Sequence, residues 1–109
     1  MLEELLDECP FVELVYLVDL SGSMISFVAN RELVEDRELS GSVAVGQSYA
    51  DRPWFQAVAR EERSAVTPIY DSLLTSDPCF TIAVAAHDAG GAMVGTLGVD
   101  INLLNWMKI

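Results

Sequence analysis

Basic residues are scarce in this chain of 109 residues. Lysine and arginine together number only 6 against 17 aspartates and glutamates, which gives a formal net charge of -11. Proteins that bind nucleic acids or anionic membrane surfaces present a basic face to them. We therefore expect neither kind of partner. The acidity itself is best explained as a contribution to solubility.

Cysteine and histidine are also few. The chain has two cysteines, Cys9 and Cys79, and one histidine, His87. A zinc site usually takes four such ligands at short spacings, so we predict no metal site and no cofactor. We expect two free thiols, with Cys79 packing as a small apolar residue. A cysteine nucleophile also needs a base, and because no histidine is placed to serve Cys79 we predict no catalytic role for it.

Long apolar runs are absent as well. No stretch of about 18 apolar residues occurs, so we expect no membrane insertion. The acidic start MLEELLDECP lacks the basic region of a signal peptide. A complete chain would then be cytoplasmic, whereas a domain excised from a membrane receptor would lie outside the membrane.

The residues that are present favour one folded domain of mixed α+β structure. Hydrophobic residues make up 51% of the chain and charged residues 21%, a composition typical of globular proteins. Residues 1–10 are predicted to form an N-terminal helix with apolar Leu2, Leu5 and Leu6, and residues 11–109 a single domain. The elements predicted there are strands over 11–19, 24–29, 66–70, 79–87 and 92–101, a helix from Pro53 capped by Asp51, and a short closing helix over 103–107.

The last two strands flank Asp88-Ala89-Gly90-Gly91, a strong hairpin signal. A loop centred between Ala89 and Gly90 predicts that paired residue numbers sum to 179, which places large apolar residues on one face. Small or partly polar residues occupy the other face, namely Cys79, Thr81, Ala83, Ala85, Val94, Thr96, Gly98 and Asp100. That face leaves room beside the Asp100 carboxylate, which needs a partner if it is buried. Two interpretations stay open: Asp100 contacts a ligand, or it caps the helix that follows.

The segment from Tyr49 to Phe55, with the sequence YADRPWF, resembles the signature of Cache domains, in which a turn leads into a helix carrying Arg-x-Trp and a further aromatic residue. Other segments resemble the family in the same order along the chain, over roughly residues 11–106: 15–19 with Gly22, 67–70, 81–85 and 95–101. The resemblance implies a PAS-like (Cache, or PDC) fold, with a five-stranded antiparallel sheet flanked by helices. It also implies a sensory domain that binds a small molecule and catalyses no reaction. In bacterial sensors such domains feed signalling output domains such as kinases, chemoreceptors or cyclic-dinucleotide enzymes.

The resemblance further implies a set of ligand-binding residues. The positions that match those of amino-acid-binding members are Arg52, Trp54, Phe55, Tyr70 and Asp100, with Tyr49 as an additional candidate. An arginine fork suits a carboxylate, aromatic rings exclude water and attract an ammonium group, and an aspartate pairs with that ammonium.

Three positions depart from the family pattern. Phe55 replaces the usual tyrosine, Gln47 stands where an aromatic residue is expected, and Ser72 stands where an acid is expected. The ligand class therefore stays open among an amino acid, another carboxylate and an amine.

Two other classes of function compete with the sensor. In one, the domain binds no ligand and joins two subunits of a larger signalling protein, and the N-terminal helix forms the interface of a homodimer. An isolated helix of this length is marginal in water, so its leucines must cover the sheet of their own subunit or that of a partner. In the other, the chain is a hydrolase or isomerase that uses Asp100, Asp71 or Glu62.

Overall fold

The computed structural model describes residues 9–30, 32–34, 44–61, 63–72 and 74–108. The predicted N-terminal helix, with the leucines of its predicted dimer interface, lies outside these residues, as does Glu62. The prediction of a homodimer built on that helix therefore stays a prediction.

Six strands and two short helices form the described part of the chain. The strands are β1 (Val12–Asp19), β2 (Met24–Ala29), β3 (Ala65–Val66), β4 (Tyr70–Asp71), β5 (Pro78–His87) and β6 (Met93–Asn102). The helices are α1 (Pro53–Glu61) and α2 (Leu103–Trp106). Neither of these helices is long and apolar enough to cross a membrane.

All the strands pair antiparallel in one sheet with the order β2-β1-β6-β5-β3, and β4 also pairs with β5. The expected antiparallel sheet is therefore found, but the described residues contribute six strands to it and not five. The difference arises because the single strand predicted over 66–70 is two separate pairings, β3 and β4, on the same edge of β5. Pro68 lies between them, and since proline has no N–H to donate, it interrupts a ladder.

The β5–β6 hairpin forms, but in a register different from the predicted one. Paired residues sum to 181 over most of its length, so that Thr81 faces Asp100 and Ala83 faces Gly98. One position of the shift comes from a tight turn in which Gly91, at a φ of 90°, donates to the Asp88 carbonyl oxygen at 3.0 Å. A three-residue loop of this kind carries a bulge, and a further register irregularity follows between Ala86 and His87. A shift of two residues preserves the faces of both strands, so Thr81, Gly98 and Asp100 still share one side.

The two faces of the sheet are covered differently. One face carries Leu14, Tyr16 and Val18 of β1 and packs against α1 through Trp54, Phe55 and Val58. The opposite face has a smaller buried cluster of Val12, Val15 and Ile101. The first face is the one on which Thr81 and Asp100 lie, and it therefore carries the larger core and the candidate site together.

Candidate functional site

A cavity of about 410 Å³ opens between the Asp100 face of the sheet and the segments that cover it. Three parts of the chain build its walls: the central strands below, the segment from Tyr49 into α1 on one side, and residues 67–72 with Leu74, here called the segment 67–74, on the other. The residues that line it are Leu14, Tyr16, Tyr49, Arg52, Trp54, Thr67, Tyr70, Asp71, Ser72, Leu74, Thr81 and Asp100.

The backbone before α1 is fixed to the β1–β2 turn. Tyr49 donates its N–H to the Gly22 carbonyl oxygen at 2.7 Å, and Met24 donates to the Gln47 carbonyl oxygen at 2.9 Å. Gly22 has a φ of 94°, and a Cβ there would lie 2.7 Å from atoms of Ala50. Only glycine allows this turn and this close approach, which together place the Tyr49 ring over the sheet.

Helix α1 begins directly after Arg52. The Arg52 carbonyl oxygen accepts a hydrogen bond from Gln56 N at 3.1 Å, which makes Arg52 the residue before the first helical turn. The prediction that Asp51 caps the helix is therefore wrong by one residue, whereas Pro53 occupies the first helical position as expected. This start sets the Arg52 side chain at the rim of the cavity.

Asp100 lies at the floor of the cavity and accepts two hydrogen bonds. Tyr16 Oη donates to its Oδ1 at 3.0 Å, and Thr81 Oγ1 donates to the same oxygen at 2.8 Å. Because the Thr81 proton is used in this way, Tyr70 Oη donates in turn to Thr81 Oγ1 at 2.6 Å. Among the described residues no donor reaches the other carboxylate oxygen, Oδ2.

The electrostatics of the floor follow from burial. Burial raises the pKa of Asp100 to about 6, an effect that the hydrogen bonds from Thr81 and Tyr16 oppose and the negative charge of Glu13 reinforces. Burial and the Asp100 charge also raise the pKa of Tyr16 and of Tyr70, so both phenols keep their protons at neutral pH. Asp100 is thus a carboxylate held by neutral donors, and within the described part of the chain no lysine or arginine forms an ion pair with it.

Three aromatic rings form the wall above the floor. The Tyr16 and Tyr49 rings stack with centroids 5.7 Å apart, and Trp54 meets them at 5.9 and 5.8 Å. The Arg52 guanidinium lies 5.6 Å from the Tyr49 ring centroid, which is within cation–π range. Its side chain is 46% exposed and is also 3.8 Å from the Asp51 carboxylate.

Five of the six residues predicted to bind a ligand line this cavity. Tyr49, Arg52, Trp54, Tyr70 and Asp100 all contribute to its surface. Phe55 does not: it is buried beside Trp54 and packs in the core. Arg52 lies at the rim of the cavity, and its side chain is half-exposed.

The interpretation of Asp100 as the cap of the helix that follows β6 is wrong. Asn102, and not Asp100, caps α2, since its side-chain oxygen accepts from Asn105 N at 3.0 Å. Asp71, the acid considered as a catalytic residue, lies on the cavity surface and is exposed. Cys79 is a buried free thiol whose burial raises its pKa to about 12, which keeps it protonated and a weak nucleophile. In the described ranges no three His, Cys, Asp or Glu side chains are grouped as a metal would require.

Tyr16 and Leu74 are among the cavity residues that had not been predicted. Tyr16 supplies both a ring to the wall and a hydrogen bond to Asp100, and Leu74 closes the side made by the segment 67–74. Tyr16 lies directly over Gly98, where a Cβ would lie 2.8 Å from its hydroxyl oxygen and closer still to its ring. A tyrosine opposite a strand glycine was the signal that could have identified it.

Solved structures of receptor domains resemble this fold. An extracellular ligand-binding receptor from Desulfohalobium retbaense matches 92% of this chain with a TM-score of 0.68 at 13% identity. The ligand-binding domain of the Pseudomonas fluorescens chemoreceptor CtaA, solved with L-serine, matches 87% at 26% identity and a TM-score of 0.52. That of the Campylobacter jejuni chemoreceptor Tlp3, solved with 4-methylisoleucine, matches 84% at 21% identity and a TM-score of 0.56. This chain covers 17%, 37% and 33% of those three chains, respectively.

Among curated proteins, the chain is 30% identical over 108 residues to a segment of a protein named citrate (Re)-synthase from Syntrophus aciditrophicus. The match takes in 99% of this chain but only 17% of that protein's length. No protein-family model matches the chain. The described fold, an antiparallel sheet with few helices, is that of the ligand-binding domains of chemoreceptors and extracellular receptors.

Proposed function

We propose that this chain is a sensory domain of the Cache type that binds a small zwitterion of the amino-acid class in the cavity above Asp100. One observation carries the proposal. A partly buried carboxylate forms the floor of a cavity and is contacted by neutral donors on one oxygen only. A ligand ammonium group would supply the missing positive charge.

The energetics favour a cation at this place. Removing a carboxylate from water is costly unless it is paired, and the raised pKa of Asp100 reflects that cost. An ammonium group at Oδ2 would form a charge-assisted hydrogen bond, which is stronger than a bond between neutral groups. The surrounding rings of Tyr16, Tyr49 and Trp54 would add attraction for the same charge.

The rim of the cavity suits the opposite charge. Arg52 is the cation among the described residues that line the cavity, and its fork can bind a carboxylate through two parallel hydrogen bonds. Its competing partners are weak: an exposed aspartate at 3.8 Å and the face of the Tyr49 ring. A ligand with an ammonium at the floor and a carboxylate at the rim would therefore meet complementary charge at both ends.

The similar solved structures support this ligand class. The CtaA domain, at 26% identity, was solved with L-serine, L-alanine, L-leucine, L-isoleucine and L-valine. The Tlp3 domain was solved with L-valine and 4-methylisoleucine. A cavity of about 410 Å³ is large enough for molecules of this size.

We propose binding and not catalysis as the role of this chain. The partial match to a protein named as a synthase spans 17% of that protein, so the activity in that name does not transfer to this segment alone. The acids in the cavity have no histidine beside them, because His87 is exposed at the hairpin end. In this proposal the domain passes its ligand signal to an output domain of a signalling protein, and it works as a homodimer.

A comparison of three small probes tests the two ends of the site separately. L-alanine carries both charges, L-lactate replaces the ammonium with a hydroxyl, and ethylamine lacks the carboxylate. Titration calorimetry should give the highest affinity for L-alanine. Asp100→Asn should weaken L-alanine and ethylamine at least tenfold, as expected for loss of a charge pair, and should affect L-lactate less. Arg52→Ala should weaken L-alanine and L-lactate by up to about 1 kcal/mol, because its side chain is half-exposed.

Asp88→Asn is the matched control, since it makes the same chemical change in the exposed hairpin turn. It should leave all three affinities unchanged. Equal affinities of wild type and Asp100→Asn for L-alanine would refute the role of Asp100. If none of the three probes and none of the twenty amino acids binds wild type, the ligand-free dimerisation domain becomes the better explanation.

A further inference from the structure

Glu13 is a buried carboxylate that lies outside the cavity lining. It is 0% exposed, and it stands in β1 where the register with β6 shifts between Val12 and Leu14. A buried charge of this kind is costly unless several donors satisfy it.

Three side chains donate to the Glu13 carboxylate. Ser72 Oγ donates to Oε1 at 2.6 Å, while Thr75 Oγ1 and Asn102 Nδ2 each donate to Oε2 at 2.8 Å. Asn102 also donates to Asp77 Oδ2 at 3.0 Å. Glu13 thus joins the start of β1, the end of β6 and a loop whose described residues are Ser72 and Leu74 to Asp77, here named the 72–77 loop.

The same hydroxyls organise the backbone of the 72–77 loop. Ser72 Oγ accepts from the N–H of Leu74 at 3.1 Å and of Thr75 at 3.3 Å, and Thr75 Oγ1 accepts from Asp77 N at 3.2 Å. The Ser72 N–H donates to the Asp77 carbonyl oxygen at 2.9 Å. Two of the donors to Glu13 are therefore also the acceptors that fix this loop.

This loop carries part of the cavity wall. Ser72 and Leu74 line the cavity, and Leu74 is buried in the same core cluster as Leu14. Leu14 pairs with Asp100 across β1 and β6, so the Leu14–Leu74 side lies next to the proposed ammonium site. A ligand side chain that projects from there would meet these two leucines.

We propose that Glu13 is a positioning residue that, through the 72–77 loop, fixes Leu74 and so limits the size of the ligand side chain. The inference rests on the proposed binding of an amino-acid-like ligand in this cavity. Glu13 does not contact that ligand. Its carboxylate accepts hydrogen bonds from Ser72 and Thr75, and these two residues fix the part of the cavity wall that carries Leu74.

Relative affinities for L-amino acids of increasing size distinguish positioning from a general loss of structure. Glycine, L-alanine, L-valine and L-leucine are titrated into wild type, Glu13→Gln, Thr75→Val and Leu74→Ala. Thr75→Val removes one donor to Glu13 from a half-buried position, so it remains informative if Glu13→Gln does not fold. Loosening the wall should shift the ratio of L-leucine to glycine affinity toward L-leucine, by at least about threefold in each variant. Thr96→Val is the control, because it removes a buried hydroxyl on the same face that has no hydrogen-bond partner in the described structure.

The double variant Leu74→Ala/Thr75→Val gives a second test of the same idea. If Thr75 acts through Leu74, its effect on the ratio should be largely lost once Leu74 is alanine. A uniform loss of affinity for all four amino acids in Thr75→Val and Glu13→Gln would mean that Glu13 only supports the fold, and would overturn the proposal. An unchanged ratio would overturn it equally.

Amide hydrogen exchange separates this proposal from the proposed function. In Thr75→Val and Glu13→Gln the N–H groups of Leu74, Thr75 and Asp77 should exchange faster by about tenfold or more, while the β5–β6 amides keep their protection. If wild type binds none of the four amino acids, the proposed function fails, and the exchange data still decide whether Glu13 positions the loop. Equal acceleration across the loop and the sheet would refute the positioning role whatever the ligand result.

Discussion

Asp100 makes the stability of the folded domain depend on pH. Its pKa is raised to about 6 in the folded protein, above the ordinary value of 3.8, chiefly by burial. The native state therefore holds this proton more tightly than the unfolded chain does. The stability that Asp100 contributes is full below about pH 4, falls as the pH rises to about 6, and stays lost above that.

This dependence gives a prediction for Asp100→Asn in the absence of ligand. The asparagine oxygen can still accept from Tyr16 and Thr81, but the buried charge is gone. At pH 7 the variant should be more stable than wild type, by on the order of 2 kcal/mol, and the difference should shrink toward zero near pH 4. Urea unfolding of both proteins at several pH values measures it. A difference that does not vary with pH would show that Asp100 is not the titrating group.

Thr96 offers a second prediction at the scale of one residue. Its hydroxyl is fully buried and has no hydrogen-bond partner among the described residues. A buried polar group left unsatisfied costs about 1–3 kcal/mol, and valine has nearly the same shape without the hydroxyl. Thr96→Val should therefore raise the free energy of unfolding by about 1 kcal/mol.

Thr81→Val is the matched comparison for Thr96→Val. It makes the same substitution on the same face of the sheet. Unlike Thr96, however, Thr81 forms side-chain hydrogen bonds with both Asp100 and Tyr70. Thr81→Val should therefore destabilise the protein, because Asp100 loses one of its two hydrogen-bond donors. If Thr96→Val proves as destabilising as Thr81→Val, the Thr96 hydroxyl has a partner after all.

The residues of the site were predicted unequally well from the sequence. Alternation along β5 and β6 placed Thr81 and Asp100 on one face, because a strand has a side-chain period of two whatever its exact register. Glu13 was not identified, although an acid inside an apolar strand must find partners if it is buried. Its partners Ser72 and Thr75 lie about sixty positions away in the chain, and only the folded sheet brings them together.

At the scale of elements, the approach of β1 to β6 depends on Gly98. The Tyr16 ring lies over this glycine, so a methyl group there would have to displace the ring and its hydroxyl. Gly98→Ala should weaken L-alanine binding at least tenfold, because it disturbs both the aromatic wall and the hydrogen bond to Asp100. The expected cost in stability is about 1–3 kcal/mol from overpacking.

Gly90→Ala is the control for this prediction. It makes the same substitution in the exposed hairpin turn, where the new methyl group would meet only the Asp88 carboxylate at 3.3 Å. It should change stability by less than about 1 kcal/mol and leave ligand affinity unchanged. Normal L-alanine affinity in Gly98→Ala would exclude the Tyr16 ring as part of the binding wall.

Turn chemistry explains most differences between the predicted and observed elements. The glycines of the β5–β6 loop identified the hairpin, but whether its loop has two, three or four residues depends on which residue adopts a positive φ. Gly91 does so, which moves the register by one position, and the irregularity between Ala86 and His87 moves it by one more. Likewise, Pro68 predicted an irregular edge strand. The split into β3 and β4, however, follows from their separate pairings with β5, which the local sequence does not encode.

At the scale of the whole molecule, charge should tune which ligands the cavity accepts. The net charge of -11 belongs to a molecule only 36 × 29 × 27 Å across. At about 10 mM salt the screening length is roughly 30 Å, so the cavity experiences the charge of the entire molecule. At about 0.5 M it is under about 5 Å, and only groups near the ligand act on it.

The three probes of the site therefore should respond to salt in different directions. L-lactate is an anion and is repelled by the molecule as a whole, so its affinity should rise between about 10 mM and 0.5 M sodium chloride, by roughly 3–10-fold. Ethylamine is a cation and should weaken over the same range. L-alanine has no net charge, so its affinity should stay nearly constant, and it serves as the internal reference.

Calorimetric titration of each probe at both salt concentrations measures the effect. If all three affinities shift in the same direction, salt acts on the protein's conformation or on the local contacts, and the long-range field of its acidic residues plays no part in selecting the ligand.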